Sequence, residues 1–498
     1  MADTYEQYVA KMQKIADLHN AAAVLNWDEE TYLPVKGAAF RGQQLATLST
    51  LAHDHFADPE LGHLLQELLA RDDLSPLQHQ NVSRSWKDYE KNQKYPSAFV
   101  HQLSLTTSRC YQAWMNARQQ NDFRPYTAAL EEMVALKQEE AALLGYDHHR
   151  YDALLDDYEQ GASVAMLDEV FRQAITALQP LIDQIMAEPA GDYPFLSKRV
   201  PREQQWTFGI AVLRTMGFDF AAGRQDVSEH PFTTSFNPRD VRLTTRIDEN
   251  DFANMTWSCI HEGGHGLYEQ GLPEAQYGLP GGEAASLSIH ESQSRLWENN
   301  VGRARPFWNH FYPQLQTAFG LENIDLDTFY KAINRVGLTP IRTESDELTY
   351  HLHIFIRYQL EKQLIEGSLA VADLREAWNG LYEKHLHLVP ADDRQGVLQD
   401  IHWSHGSFGY FPTYSLGSFY AAQFYRAAQQ ALPGLEQQLA GGHFADLLDW
   451  LRKHIHRHGR LYPSAELCEK VTGEALRLDY FLDYVQKKYR SLYGLTAT

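Results

Sequence analysis

Hydrophobic residues recur every three or four positions along most of the chain. This spacing is clearest over residues 61–73, 126–146 and 166–188, and it returns from about 415 to 490. Such a repeat places the apolar side chains on one face of an α-helix. Pro180 lies in the third stretch and predicts a kink or a break, because proline lacks the donor for a helical hydrogen bond. The pattern predicts a mainly α fold.

One stretch, residues 230–248, has a different pattern. Thr, Phe, Val and Arg roughly alternate there, around a turn sequence, Asn-Pro-Arg-Asp, at residues 237–240. Alternation with a period of two, interrupted by a turn, predicts a short hairpin of strands. Because the segment His-Glu-Gly-Gly-His follows at residues 261–265, we expect a small β element to border it.

The domain organisation follows from length and from the absence of linkers. The chain has 498 residues, of which 44% are hydrophobic, and this is enough for a large core. It contains no Ser/Gly linker, no Pro-rich run and no repeat of 20–50 residues. We therefore expect residues 1–498 to form a single unit or two interleaved helical lobes.

Charge and cysteine content exclude several classes of protein. The 44 basic and 65 acidic residues give a net charge of −21, which disfavours binding to nucleic acid or to an anionic membrane. Three cysteines, Cys110, Cys259 and Cys468, make neither a disulfide framework nor a thiolate metal site. The N-terminus is polar, and no run approaches the ~18 apolar residues of a membrane span. These features predict a cytoplasmic location.

The segment at residues 261–265 has the spacing of a metal site. On a helix, His261 and His265 lie on one face, one turn apart, and neutral imidazole is a good ligand for Zn²⁺. Glu262 is rotated by about 100° from His261. It can therefore accept a proton from the attacking water and pass it to a leaving amine. The spacing favours a zinc hydrolase over an accidental pattern on an ordinary helix.

The residues around the two histidines also argue for a special site. Residues 252–260 are mostly apolar and predict a buried helix, in which two histidines and a glutamate are costly without partners. Gly263 and Gly264 each weaken a helix by about 1 kcal/mol relative to Ala. Their small size suggests that a second chain, such as an extended substrate, passes close to them.

A catalytic zinc site needs a third protein ligand and an open fourth position. Glu291 follows on the next predicted helix, from about residue 284 to 300, and is the candidate for this ligand. Glu283, near the start of that helix, and Glu298, two turns after Glu291, are its competitors.

Further polar clusters suggest contacts to a substrate. A guanidinium binds a free carboxylate through two parallel hydrogen bonds, so Arg242 and Arg342 are candidates for this contact. The Gly- and aromatic-rich stretch 396–420 suits a substrate cleft. A tetrahedral oxyanion needs hydrogen-bond donors, and the candidates in this stretch are His405, Tyr410 and Tyr414. Structural roles remain open, as ion-pair partners for the arginines and as packing within an ordered loop for the others.

Five motifs together resemble the carboxypeptidase Taq family of metallocarboxypeptidases. They are HEGGH, HESQSRLWEN, DVRLT, IRTESDELTYHLHI and GVLQDIHWSHGSFGYFPTYSLG. The likeness also includes residues 25–44 and 95–104, and it extends over nearly the whole chain. One departure is Ser345, which precedes Asp346 where the family pattern has Ala.

The resemblance implies a fold, an activity and a site. The fold is helical and elongated, with a deep groove, like that of neurolysin and angiotensin-converting enzyme. A single Zn²⁺, replaceable by Co²⁺ or another divalent metal, is held by His261, His265 and Glu291, and Glu262 is the general base. Residues 1–498 form one catalytic unit in a homodimer. This unit releases single residues from peptide C-termini by zinc-activated water attack, with broad specificity and poor cleavage at proline.

Three other functions remain open at this point. The first is a zinc oligopeptidase with the same metal site that cuts peptides internally. The second is a metal-stabilised binding protein without turnover, whose fourth coordination position would be closed. The third is a helical scaffold in which the HEGGH pattern is accidental.

Overall fold

The computed structural model describes residues 3–189 and 191–495, and these residues form a mainly α fold. No helix among them is long and apolar enough to cross a membrane. The described residues contain twenty α-helices: α1 (Thr4–Thr31), α2 (Ala38–Phe56), α3 (Pro59–Leu69), α4 (Pro76–Gln93), α5 (Ser97–Gln120), α6 (Arg124–Leu144), α7 (Arg150–Leu155), α8 (Val164–Ala187), α9 (Arg202–Met216), α10 (Phe252–Glu269), α11 (Leu287–Arg295), α12 (Arg305–Phe319), α13 (Leu326–Ile333), α14 (Tyr350–Glu366), α15 (Leu374–Leu386), α16 (Phe411–Ala431), α17 (Leu435–Ala440), α18 (Ala445–His454), α19 (Ser464–Thr472) and α20 (Asp479–Tyr493).

The helices form where the apolar spacing predicts them. Most of the stretch 61–73 lies in α3, and the capping residue before this helix, Asp58, accepts a hydrogen bond from the amide of Glu60. The stretch 126–146 is α6, which ends at Gly145. The stretch 166–188 is α8, and it continues through Pro180. Of the two alternatives predicted for Pro180, the break is wrong and the kink stays a prediction. Buried apolar residues on both sides of the proline hold the helix together: Leu167, Phe171, Ala174, Leu178, Leu181, Ile182 and Ile185.

The predicted β element is a three-stranded sheet. Its strands are β1 (Gly223–Val227), β2 (Thr233–Asn237) and β3 (Asp240–Thr245), in the order β1-β3-β2. Strands β2 and β3 pair antiparallel, so the hairpin predicted within residues 230–248 is confirmed. Strand β1 pairs parallel to β3 and is an addition to the prediction.

The chain divides into two compact units, each built from three separate segments. The first unit consists of Met1–Gln93, Asp192–Ile333 and Tyr420–Leu476, and the second of Lys94–Gly191, Asn334–Phe419 and Arg477–Thr498. Whether these units act as a single catalytic unit stays a prediction, as do the elongated shape and the deep groove.

In the first unit, α10 is the central element for the candidate site. It packs against α9, α11 and the strands β2 and β3. Its N-terminus is capped by Asp251, whose side chain accepts a hydrogen bond from the amide of Asn254. Helix α11 begins after Ser286, whose hydroxyl caps the amide of Ile289. It continues as a π-helical segment at Leu296–Gly302, a form that is frequent at functional sites.

Candidate metal centre and active site

Two histidines of α10 face one point, as their spacing predicts. The ring centroids of His261 and His265 are 4.9 Å apart, and the ring planes are nearly perpendicular. Glu291 of α11 completes the group: its Oε2 lies 3.8 Å from Nε2 of His261 and 3.5 Å from Nε2 of His265. Within residues 3–189 and 191–495, this is the one group of three metal-ligating side chains whose donor atoms can meet, all within 4.8 Å of one another.

The donor set fits a divalent transition metal. Ligands about 2.1 Å from a tetrahedral ion lie about 3.4 Å from each other, which is close to the separation of Glu291 from the two rings. Two imidazole nitrogens and one carboxylate form a common ligand set of catalytic zinc sites, in which the fourth position stays open. The group can therefore hold one such ion without rearrangement of the two helices.

The competing glutamates lie elsewhere. Glu283 is half-exposed and pairs with Arg460, with Oε2 2.8 Å from Nε. Glu298, on the π-helical segment, contacts His261 from behind, with its Oε2 2.8 Å from Nδ1. Arg295 connects the carboxylates of Glu298 and Glu291. Its Nη1 donates to Glu298 at 3.0 Å, and its Nε donates to Glu291 at 2.7 Å.

The electrostatics of the group favour a cation. Burial opposes a charge on His261, but the carboxylates of Glu291 and Glu298 outweigh it and raise the pKa of His261 to about 9. Burial, with a contribution from His290, lowers the pKa of His265 to about 3, so this imidazole is neutral and keeps a lone pair. Carboxylates that favour a proton on one ring also favour a divalent cation between the two rings.

Glu262 is held at the edge of the group by the sheet. The hydroxyl of Thr233, on β2, lies 2.6 Å from Glu262 Oε2 and 3.1 Å from its backbone oxygen. Burial raises the pKa of Glu262, although His261 and Thr233 oppose this shift. Thr233 was not among the site residues predicted from the sequence. The available signal was its place on the predicted strand just before the metal motif.

The two glycines of the motif serve helix packing. A Cβ on Gly264 would lie 2.7 Å from the Cα of Ser294 and 2.8 Å from the backbone oxygen of Gln293, both on α11. A Cβ on Gly263 would lie 2.5 Å from a methyl group of Leu213 on α9. The interpretation that these glycines admit a substrate chain is therefore wrong. Gly264 allows α11, which carries Glu291, to approach α10, and Gly263 does the same for α9.

Arg242 is held by partners within the first unit. Its Nε and Nη2 donate to the two carboxylate oxygens of Asp240, at 3.0 Å each. Its guanidinium also lies 4.3 Å from the ring centroid of Trp27 and 4.8 Å from that of Phe236. One carboxylate balances its charge, as expected for a structural ion pair.

Arg342 belongs to a buried cluster of the second unit. Its Nε and Nη2 donate to Oδ1 of Asp400, at 3.0 and 2.9 Å, and its Nη1 donates to the hydroxyl of Tyr350 at 3.1 Å. Arg357 donates to the other carboxylate oxygen of Asp400 at 2.7 Å. Burial lowers the pKa of His402 to about 3, so this neighbour stays neutral. Two guanidinium groups thus share one carboxylate, and one positive charge remains.

The remaining candidates surround this cluster or lie on the same loop. Tyr414 donates to or accepts from Nε2 of His402 at 3.2 Å, and the rings of Tyr410 and Tyr414 are 5.2 Å apart. The ring of His405 lies against Tyr111, with centroids 5.1 Å apart. The structure thus brings Tyr410 and Tyr414 together with His402 and packs His405 on α5.

Comparison with known proteins agrees with this architecture. The family model described as carboxypeptidase Taq (M32) metallopeptidase matches residues 7–489. Thermostable carboxypeptidase 1 of Thermus thermophilus is 40% identical over 506 residues, which cover 98% of this chain and 99% of that protein.

Solved structures show the same fold. The structure of a protein called CHT has a TM-score of 0.97 and 58% identity, covering 98% of this chain and 99% of that one. The M32 carboxypeptidase from Deinococcus radiodurans R1 has a TM-score of 0.97 and 39% identity, covering 99% of this chain and all of that one (100%).

The helical fold and the convergent donor group define a metallopeptidase. The family model and the sequence identity to the Thermus enzyme both extend over nearly the full length. The chain therefore belongs to the carboxypeptidase Taq (M32) family. The resemblance drawn from the five motifs is confirmed. The chain is a peptide hydrolase, a metallocarboxypeptidase, and its family implies a divalent metal.

Proposed function

We propose that this chain is a zinc-dependent carboxypeptidase that releases single amino acids from peptide C-termini. We further propose broad specificity with poor cleavage at proline. The observation that carries the proposal is the convergence of His261, His265 and Glu291 beside a glutamate that Thr233 holds in place. Two histidines and a carboxylate leave room for water and substrate, as catalysis requires.

The metal would be held by His261, His265 and Glu291. When bound, a divalent metal such as Zn²⁺, or Co²⁺ in its place, polarises the scissile carbonyl and lowers the pKa of water. Because Arg295 occupies Oε1 of Glu291, that carboxylate presents its other oxygen, Oε2, to the group.

Glu262 is the general base in this proposal. Thr233 donates to its Oε2 and orients the carboxylate, which takes the proton from the attacking water. Burial makes this carboxylate a stronger base than one in solvent. The same group then returns the proton to the leaving amine. Tyr410, Tyr414 and His405 are the proposed hydrogen-bond donors to the tetrahedral oxyanion.

Arg342 is the proposed anchor for the C-terminal carboxylate of the substrate. Two guanidinium groups share Asp400, and the remaining positive charge favours a second carboxylate. Arg242 is the weaker candidate, because Asp240 already balances its charge. We therefore expect Arg342→Ala to reduce the preference for a free C-terminus more than Arg242→Ala.

Three further points stay proposals. Peptides are the proposed partners, with neither nucleic acid nor membrane involved. The chain is proposed to form a homodimer. A cytoplasmic location is proposed from the three cysteines, all of which are free and buried.

Two glutamate variants test the division of roles. Glu262→Gln should keep one metal ion per chain and lose about 10²–10⁴-fold in turnover, because an amide cannot accept the proton. Glu291→Gln should instead lose the metal. Metal content and peptide hydrolysis are measured on the same samples, with Glu283→Gln as the matched control. A metal-depleted Glu262→Gln beside a fully loaded Glu291→Gln would reverse the two roles.

A further inference from the structure

A hydrogen-bond relay, formed by the side chains of His265, His290 and Glu269, leads away from the metal group. Nδ1 of His265 lies 2.5 Å from Nδ1 of His290, and Nε2 of His290 lies 2.7 Å from Oε1 of Glu269. His265 and Glu269 are one turn apart on α10, and His290 comes from α11. All three side chains are largely buried, with exposed fractions of 14%, 20% and 15%.

The positions of the protons in this relay follow from the role of His265. A neutral imidazole that points the lone pair of Nε2 at the metal group must carry its hydrogen on Nδ1. That hydrogen can be donated to Nδ1 of His290 only if this atom is unprotonated. The hydrogen of His290 is then on Nε2, where the carboxylate of Glu269 accepts it. One arrangement of protons satisfies both contacts and leaves His265 ready to bind a metal.

The two metal-facing histidines are therefore supported in different ways. His261 contacts a carboxylate directly, through Glu298. Glu269 lies four residues after His265 on the same helix, and it reaches this histidine through the ring of His290. The ring of Tyr268 packs against this interposed ring in a T-shaped arrangement, with the two centroids 5.3 Å apart.

We propose that His290 and Glu269 are positioning residues for the metal: His290 fixes the tautomer and orientation of His265, and Glu269 fixes His290. The proposal rests on the metal site proposed above. Groups that accept the second N–H of a ligating histidine raise its basicity and orient its ring, and their loss typically costs 10–100-fold in metal affinity. His290 and Glu291 are adjacent on α11. When α11 packs on α10, it therefore places one metal ligand, Glu291, and the residue that orients another ligand, His265, at the same time.

The test measures metal affinity rather than activity. The dissociation constant of Zn²⁺ is measured by competition with a chromogenic chelator, and the melting temperature is recorded with and without metal. His290→Phe removes both hydrogen bonds and should raise the dissociation constant about 10–100-fold. His290→Asn keeps an acceptor near Nδ1 and should recover part of this loss. Glu269→Ala should also weaken binding, since the ring of His290 loses its anchor.

His456→Phe is the matched control. His456 packs on Tyr268, with ring centroids 5.0 Å apart, and contacts Gln293 rather than the metal-facing histidines. Its replacement should lower the melting temperature and leave the dissociation constant unchanged.

Two results would contradict the proposal. Unchanged zinc affinity in His290→Phe, with equal losses of melting temperature in the apo and loaded forms, would make the relay purely structural. A wild-type chain that binds no zinc would overturn the metal site itself and the relay with it. Tight binding by the wild type separates the first outcome from the second.

Discussion

At the scale of single residues, Glu361 of α14 stands out as a buried acid with three donors. Trp403 Nε1 donates to its Oε1 at 2.7 Å, the amide of Gly409 donates to its Oε2 at 3.0 Å, and the hydroxyl of Tyr151 also donates to Oε2. The first two donors belong to the loop that carries His405 and leads to Tyr410. Glu361 therefore ties this loop to α14, a role that helical periodicity could not reveal.

Glu361 gives a prediction for the pH dependence of stability. Burial outweighs the three donors and raises its pKa from 4.5 to about 7. The folded chain thus binds this proton more tightly than the unfolded chain. Its contribution to stability is fully present below about pH 4.5 and is lost as the pH rises through 7. The loss is about 3 kcal/mol.

Unfolding at a series of pH values measures this effect. In Glu361→Gln, the fall in the free energy of unfolding between pH 4.5 and 7 should disappear. In Glu366→Gln, on the exposed face of the same helix, it should remain. An identical pH profile for the wild type and Glu361→Gln would contradict the prediction, because it would show that folding does not raise the pKa of this carboxyl.

At the scale of elements, the approach of α11 to α10 decides whether the metal group forms. The prediction concerns Gly264, where a Cβ would lie within 3 Å of the backbone of α11. Gly264→Ala should lower stability by about 3 kcal/mol and weaken metal binding, because two backbones must move apart. Thermal unfolding of the apo chain and metal titration measure the two effects.

The control for this prediction is Gly380, an exposed glycine within α15 whose Cβ would have no heavy atom within 4 Å. Gly380→Ala should be neutral or stabilise by up to ~1 kcal/mol, since alanine is the better helix former. If Gly264→Ala were equally neutral, the close contact between α10 and α11 would not limit the site.

Sequence alone predicted the elements with local signals. Apolar spacing predicted α3, α6 and α8, and alternation with a turn predicted the hairpin of β2 and β3. Strand β1, with the sequence Gly-Arg-Gln-Asp-Val, has little apolar alternation and was not predicted. It is a strand because its backbone pairs with that of β3. At Pro180 the helix does not break, because tertiary burial outweighs the lost hydrogen bond, and the alternative of a kink stays a prediction.

The candidate site was predictable where its members share a helix. His261, Glu262 and His265 follow from helical spacing alone. Thr233 and His290 are different, because their roles depend on which strand and which helix pack on α10. Such contacts between distant segments leave no periodic trace in the sequence, and only the assembled fold shows them.

At the scale of the whole molecule, the metal group is a small part of the packed interior. The N-terminal helices α1, α3 and α4 bury an apolar cluster of their own, which includes Tyr8, Leu65 and Val82. A chelator should therefore abolish peptide hydrolysis while the apo chain stays folded, and Zn²⁺ or Co²⁺ should restore activity.

Circular dichroism and melting temperature check this prediction. The melting temperature should rise with added metal, as expected when a ligand binds the folded chain alone. Full activity in a chain shown to be free of metal would contradict the account, and so would complete unfolding on chelation.

The central claim is that the enzyme removes residues from a free C-terminus. The direct measurement is mass spectrometry of the products, over time, from one peptide and from its C-terminal amide. The acid should give a ladder of products, each one residue shorter than the last. The amide should react roughly 30- to several-thousand-fold more slowly, because loss of a buried charge-assisted contact costs about 2–5 kcal/mol. Equal cleavage of the two peptides, or fragments from the middle of either, would contradict the claim and make this enzyme an oligopeptidase.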